Sequence, residues 1–152
     1  MNRSLLSCLV LFVASIATAD DAKDAAIKKD HQQIAGKWQV VAVEIDGQKL
    51  SDADARKYSV VNGTDGSWSL QEDGKEIDKG TSTIDPTKKP KTTDLTPTTG
   101  ESKDKVHLAI YELGEKRRKL CIAGPDKPRP TDFTAKAGSE QVLVTLERVA
   151  GK

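Results

Sequence analysis

The spacing of polar and apolar positions changes once along the chain, from a helical to a strand period. Residues 20–35 are dominated by Ala, Lys, Asp and Gln, with Ile27, His31 and Ile34 spaced to share one face. This predicts a short amphipathic helix that Gly36 ends. Residues 38–45 are β-branched and apolar and stop at Asp46-Gly47, a dipeptide suited to the positive φ angles of a tight turn. Residues 52–57 suit a helical turn. Residues 58–61 form a second strand, closed by Asn62-Gly63 and Asp65-Gly66. Trp68 and Leu70 alternate with Ser67, Ser69 and Gln71 in a third, which turns at Asp73-Gly74.

The fourth strand, over residues 75–84, is unusually polar, and Pro86 and Pro90 bracket a basic loop after it. Leu95 centres a fifth strand. Val106, Leu108 and Ile110 alternate along a sixth before Gly114, and residues 119–123 form a seventh. A proline-rich stretch, residues 124–130, makes an extended connection. In the last strand, residues 141–148, Val142, Val144, Leu146 and Arg148 share one parity. Short strands joined mostly by tight turns predict an all-β fold, an eight-stranded antiparallel up-and-down barrel without open edges. A two-sheet sandwich is the alternative architecture.

The start of the chain has a different pattern. Arg3 precedes an uncharged apolar run over residues 5–16 and the small residues Ala17-Thr18-Ala19, the three parts of a cleavable signal peptide. The run is shorter than the roughly 20 residues that span a bilayer, and Asp20 and Asp21 follow it. The expected organisation is a signal peptide over 1–19, a helical lead over 20–35 and one barrel domain over 36–149. The expected compartment is the periplasm or the extracellular medium, with no stable membrane insertion after cleavage.

Cleavage alters both charge and redox chemistry. The chain carries 24 basic and 23 acidic residues, and loss of Arg3 equalises them. A neutral balance offers no electrostatic argument for nucleic acid or an anionic membrane. Cys8 departs with the leader, and Cys121 alone cannot form an internal disulfide.

Gly36-Lys37-Trp38 at the head of the first strand, just after a helix, resembles the Gly-x-Trp signature that opens lipocalin barrels. Several further segments stand in the same order as in an uncharacterised lipocalin-like domain family abundant in planctomycete bacteria. They include Asp85-Pro86-Thr87-Lys88-Lys89-Pro90-Lys91, Ile110-Tyr111-Glu112-Leu113, Lys119-Leu120-Cys121-Ile122-Ala123 and Lys127-Pro128-Arg129-Pro130-Thr131-Asp132-Phe133. The resemblance covers residues 34–148, with Asp132 where the family usually has Glu and His107 where it often has another residue. It implies export and a lipocalin-like barrel. By the same resemblance Gly36, Trp38 and Arg148 close the barrel, the arginine lying across the tryptophan by cation–π attraction. It implies no activity and no catalytic residue.

The residues themselves suggest little chemistry. Cys121 and His107 are the one conceivable thiol–base pair, but a lone cysteine alternating with Leu120 and Ile122 reads as a packed strand residue. His31 and His107 lack partners at metal-ligand spacing, and Asp52-Ala53-Asp54 lacks the glycine and final glutamate of a calcium loop. We therefore expect no catalytic residue, metal or cofactor. Asn62-Gly63-Thr64 reads as a turn before a glycosylation site. Lys88, Lys89 and Lys91, and the run Lys116-Arg117-Arg118-Lys119, read first as solvated hairpin tips and second as an anion-binding surface. Phe133 is expected to dock on the barrel, plugging one mouth, or else to face a partner.

The expected function is non-enzymatic binding of a small, largely apolar ligand inside the barrel, with Trp38, Tyr58, Trp68 and Tyr111 bearing on the interior or its mouth. The alternative is an interaction module with a filled barrel, acting through its loops on an exported protein or the cell envelope.

Overall fold

The computed structural model describes residues 18–151. Most of the expected signal peptide, residues 1–17 with Cys8, lies outside them.

The first element is helix α1, Ala19–Ile34. Thr18 caps it in a reciprocal box with Asp21, and Asp20 and Asp21 place negative charge against the positive end of its dipole. The expected cleavage point after Ala19 therefore falls inside the first turn, and cleavage there removes the cap. The helix buries Ile34 and packs Ile27. The polar residue that shares this face is Asp30, which is buried, while His31 is only half-buried.

The strands are β1 (Gly36–Ile45), β2 (Gln48–Lys49), β3 (Tyr58–Asn62), β4 (Ser67–Glu72), β5 (Lys75–Asp85), β6 (Lys91–Pro97), β7 (His107–Leu113), β8 (Arg117–Ala123) and β9 (Gln141–Arg148). A short helix α2, Asp52–Ala55, sits between β2 and β3, capped by Ser51. Each strand pairs antiparallel with its neighbour, and β1 also pairs with β9. Eight strands thus close into a barrel, with β2 a two-residue edge beside β1. The expected architecture is the observed one, and the sandwich is excluded.

Register decides which residues face inward, because residues directly opposite in a ladder share a face. One rung joins Val40, Leu146, Arg118 and Leu113. The next joins Val43, Val144, Leu120 and Tyr111. A bulge at Val41 moves the inward position of β1 from Ala42 to Val43, leaving Ala42 exposed and Val43 buried. A second irregularity, in β5 opposite Leu70 and Gln71, leaves Ile77 unpaired and 46% exposed.

The connection after β8 turns back over the outer face of the barrel. Arg129 donates to the carbonyls of Thr93 and Ala109 at 3.0 and 2.7 Å and to the Asp94 carboxylate at 2.6 Å. Ala135 is buried, and so are Ile110 and Cys121 on the outward face of β7 and β8. The alternation Val106, Leu108, Ile110 thus marks the outward side of β7, and Val106 lies outside the strand and exposed.

Candidate functional site

One end of the barrel is closed by α1. The guanidinium of Arg148 stands 4.3 Å from the Trp38 ring centre. It also donates to the carbonyls of Gln33, Ala35 and Glu115, while the Trp38 indole N–H donates to Ile34 at 2.7 Å. The last two carbonyls of α1, those of Gln33 and Ile34, which have no partners within the helix, are satisfied by these two side chains. Gly36 sits between them with φ +105°, and a Cβ there would stand 3.5 Å from an Arg148 nitrogen.

Asp30 projects from α1 into the same end. One carboxylate oxygen accepts from the Tyr111 hydroxyl and from Lys91 Nζ, both at 2.7 Å. Burial first, then the hydrogen bond to Asp30 and after it the Asp30 charge, raise the Tyr111 phenol well above its ordinary pKa. Arg118 is buried beside this group, its Nε lacking a hydrogen-bond partner, and desolvation pulls its pKa down to about 10. It remains charged at neutral pH, where the Asp30 carboxylate offsets part of the desolvation.

The other end is open. Along β1 the inward-facing side chains run from Trp38, 0% exposed, through Val40 at 2% and Val43 at 9%, to Ile45 at 47%. The same gradient recurs on neighbouring strands. Leu146 is buried while Val144 and Val142 are half-buried, and Arg118 and Leu120 are buried while Ile122 is half-buried. Tyr58, Leu70, Leu95 and His107, inward by register, are also half-buried. Exposed Ile45, Leu50, Ile77 and Val106 lie on strand ends or connections at this end. On these strands the inward-facing side chains are thus buried toward the α1 end and partly exposed toward the other, where most of them are apolar.

The four expected ligand-binding aromatics do not share one place. Trp38 is sealed in the closed end under Arg148. Tyr58 stands at the open end opposite Glu72, whose carboxylate raises its phenol pKa. Trp68 donates its indole N–H to the Thr81 carbonyl and lines a cleft of about 380 Å³ over β3, β4 and β5. Tyr111 faces the closed end and borders a larger cleft of about 780 Å³.

That larger cleft lies at the α1 end and outside the open half of the interior. Residues from the β5–β6 loop and from the β7–β8 hairpin converge on it. Its cations are Lys88, Lys89, Lys91, Arg117 and Lys119, against the single carboxylate of Glu112. Pro86, Pro90, Leu113 and Phe133 supply apolar surface. Phe133 therefore does not plug a mouth of the barrel. Arg129 and Cys121 tie its segment to the outer wall and leave its ring beside the cleft.

Cys121 and His107 are kept apart by the sheet. Cys121 is paired with outward-facing Ile110, whereas His107 shares the inward parity of Ala109 and Tyr111. The thiol donates to the Thr134 carbonyl at 3.2 Å, and burial raises its pKa. His107 Nδ1 lies 3.1 Å from the Ala123 carbonyl, which fixes a proton on that nitrogen. Among the described residues, no three His, Cys, Asp or Glu side chains gather as metal ligands.

Sequence reasoning missed Asp30 and the pairing of the two basic segments. The helical period carried a signal for Asp30, since it stands three residues after Ile27 and four before Ile34. No family model, curated protein or solved structure matches the chain.

Proposed function

We propose that this protein is an exported, non-enzymatic member of the lipocalin-like domain family its sequence resembles, and that it holds a small, largely apolar molecule in the open half of its barrel. The exposure gradient along the inward-facing positions carries the reading, from Trp38 at 0% to Ile45 at 47% on one strand. Half-buried apolar side chains on an inward face keep contact with water that a ligand would remove, at about 25 cal/mol per Å² covered. Ile122, Val142, Val144, Leu70 and Leu95 form the wall in this reading. Tyr58, Glu72 and His107 would orient a polar group at the mouth. The leader pattern of residues 1–19 supports export.

The test is titration of the purified mature protein with the uncharged fluorophore Nile red, followed by displacement with a long-chain alcohol. Saturable binding, abolished by Ile45→Glu or Ile122→Glu and retained by Lys119→Glu, is the expected result. Absence of saturable binding sinks the proposal, and so does binding indifferent to the Ile45 and Ile122 changes. The alternative role, docking of an exported protein through loops, draws on a different surface at the closed end.

A further inference from the structure

Two basic segments that are distant in sequence converge at the closed end. Lys88, Lys89 and Lys91 come from the β5–β6 connection and the start of β6, and Arg117 and Lys119 come from β8. With 24 basic and 23 acidic residues in the whole chain, composition does not produce this excess. The barrel does, because the β5–β6 and β7–β8 turns both lie at the end that α1 covers.

The cations differ in what already neutralises them. Lys91 is held by Asp30 at 2.7 Å, Arg117 by Glu147 at 2.6 Å, and Lys119 stands 3.7 Å from Glu112. Lys88 and Lys89 enter no ion pair among the described residues. The loop that presents them is ordered before any partner arrives. Asp85 accepts from the Thr87 backbone N–H and hydroxyl, and it pairs with Lys23 of α1 at 3.0 Å. Such pre-organisation lowers the entropic cost of binding.

We propose that this cleft docks an acidic polypeptide segment carrying apolar side chains. Its volume of about 780 Å³ exceeds the needs of one compact anion. Lys88 and Lys89, unpaired among the described residues, border one side. Arg117 and Lys119, whose side chains reach solvent and each meet one carboxylate, border the other, an arrangement that carboxylates spaced along a chain can meet. Phe133, Leu113, Pro86 and Pro90 offer apolar contact beside them, which a purely ionic ligand would leave unused. The site is separate from the open half of the interior, so the two proposals stand or fall independently.

Fluorescence anisotropy with a labelled dodecapeptide alternating Glu and Leu tests the docking site, using the mature protein. Saturable binding should weaken by about tenfold with Lys88→Glu plus Lys89→Glu and fall steeply with added salt. Lys103→Glu plus Lys105→Glu, exposed in the β6–β7 connection, should change it little. The same peptide with Gln for Glu should not bind, and an all-Glu peptide should bind more weakly. Circular dichroism confirms that the variants fold. The proposal is overturned by absence of binding, by equal loss in the two double variants, or by equal affinity for the all-Glu peptide. Vesicles of phosphatidylglycerol and phosphatidylcholine supply the last arm: binding to them that the Glu–Leu peptide fails to compete away assigns the surface to lipid and overturns it as well.

Discussion

The Arg148 guanidinium lies 4.3 Å from the centre of the Trp38 ring and reaches past it to the carbonyls of Gln33 and Ala35. One side chain thereby joins the last strand, the first strand and the end of α1. It acts as both the cation over the ring and the cap of the helix C-terminus, where positive charge is favoured.

Replacing Arg148 by Met removes both roles. Unfolding free energy from urea denaturation should fall by about 2–4 kcal/mol, the sum of a partly desolvated cation–π contact and charged hydrogen bonds. Arg148→Lys should recover less than half of the loss, since an ammonium cannot reach several carbonyls with a planar fork.

Arg118 should behave in the opposite way. Its charge is buried with Nε unsatisfied, so desolvation opposes its attraction to Asp30. Arg118→Met keeps the length and apolar stem, and the urea midpoint should stay level or rise, by up to about 1–2 kcal/mol in stability. A clear loss would mean that Arg118 holds Asp30 in place electrostatically.

Tyr111 offers an alkaline test. Its folded pKa lies above the ordinary value of 10.0, so its contribution is fully present below pH 10 and is lost as pH rises toward the folded value. Tyr111→Phe should lower stability at neutral pH, and its difference from the parent should shrink above pH 10. Arg118 titrates in an overlapping range with opposite sign, but it is common to both proteins and largely cancels in the comparison. Ultraviolet titration should show phenolate at Tyr111 appearing with unfolding.

The acid side is tested by Asp85. The Thr87 hydroxyl first, and Lys23 after it, hold this carboxyl at about 2 against an ordinary 3.8. The stabilisation is present above pH 3.8 and is lost as pH falls through about 2. Asp85→Asn should therefore be less stable than the parent at neutral pH, and the two acid-unfolding curves should merge near pH 2.

Cys121 is predicted to be unreactive in the native state. Its thiol is buried, donates to Thr134 and has a raised pKa, so little thiolate is available. Reaction with Ellman's reagent should proceed at the rate of opening and become rapid in denaturant. His107→Ala should not slow it, because the histidine lies on the opposite face of the sheet.

Much of the fold was legible because strand period, turn dipeptides and proline positions are local signals. The eight barrel strands fall close to where alternation and Asp-Gly or Asn-Gly pairs put them, and Gly36 ends α1 for a reason visible in its backbone angle. The two-residue β2 carried no such signal and was missed. The candidate site was less legible. Trp38, Tyr58, Trp68 and Tyr111 were named for their chemistry, and the register gives all four the inward parity, yet their different heights along the barrel put them in different environments. The inward position in β1 was hidden too, since Val40-Val41-Ala42-Val43 is apolar on both parities and only the bulge chooses Val43 over Ala42.

The sequence alone determined the local elements, because period, turn chemistry and backbone constraint act over a few residues, while the closure of Trp38 by Arg148 was expected only from the resemblance to lipocalin barrels. Tertiary structure alone decided that Asp30 meets Lys91 and Tyr111, and that Lys88 and Lys89 share a cleft with Arg117 and Lys119. Those meetings depend on strand order, register and the placement of α1 across one end, which join residues too far apart in the chain for any local pattern to relate.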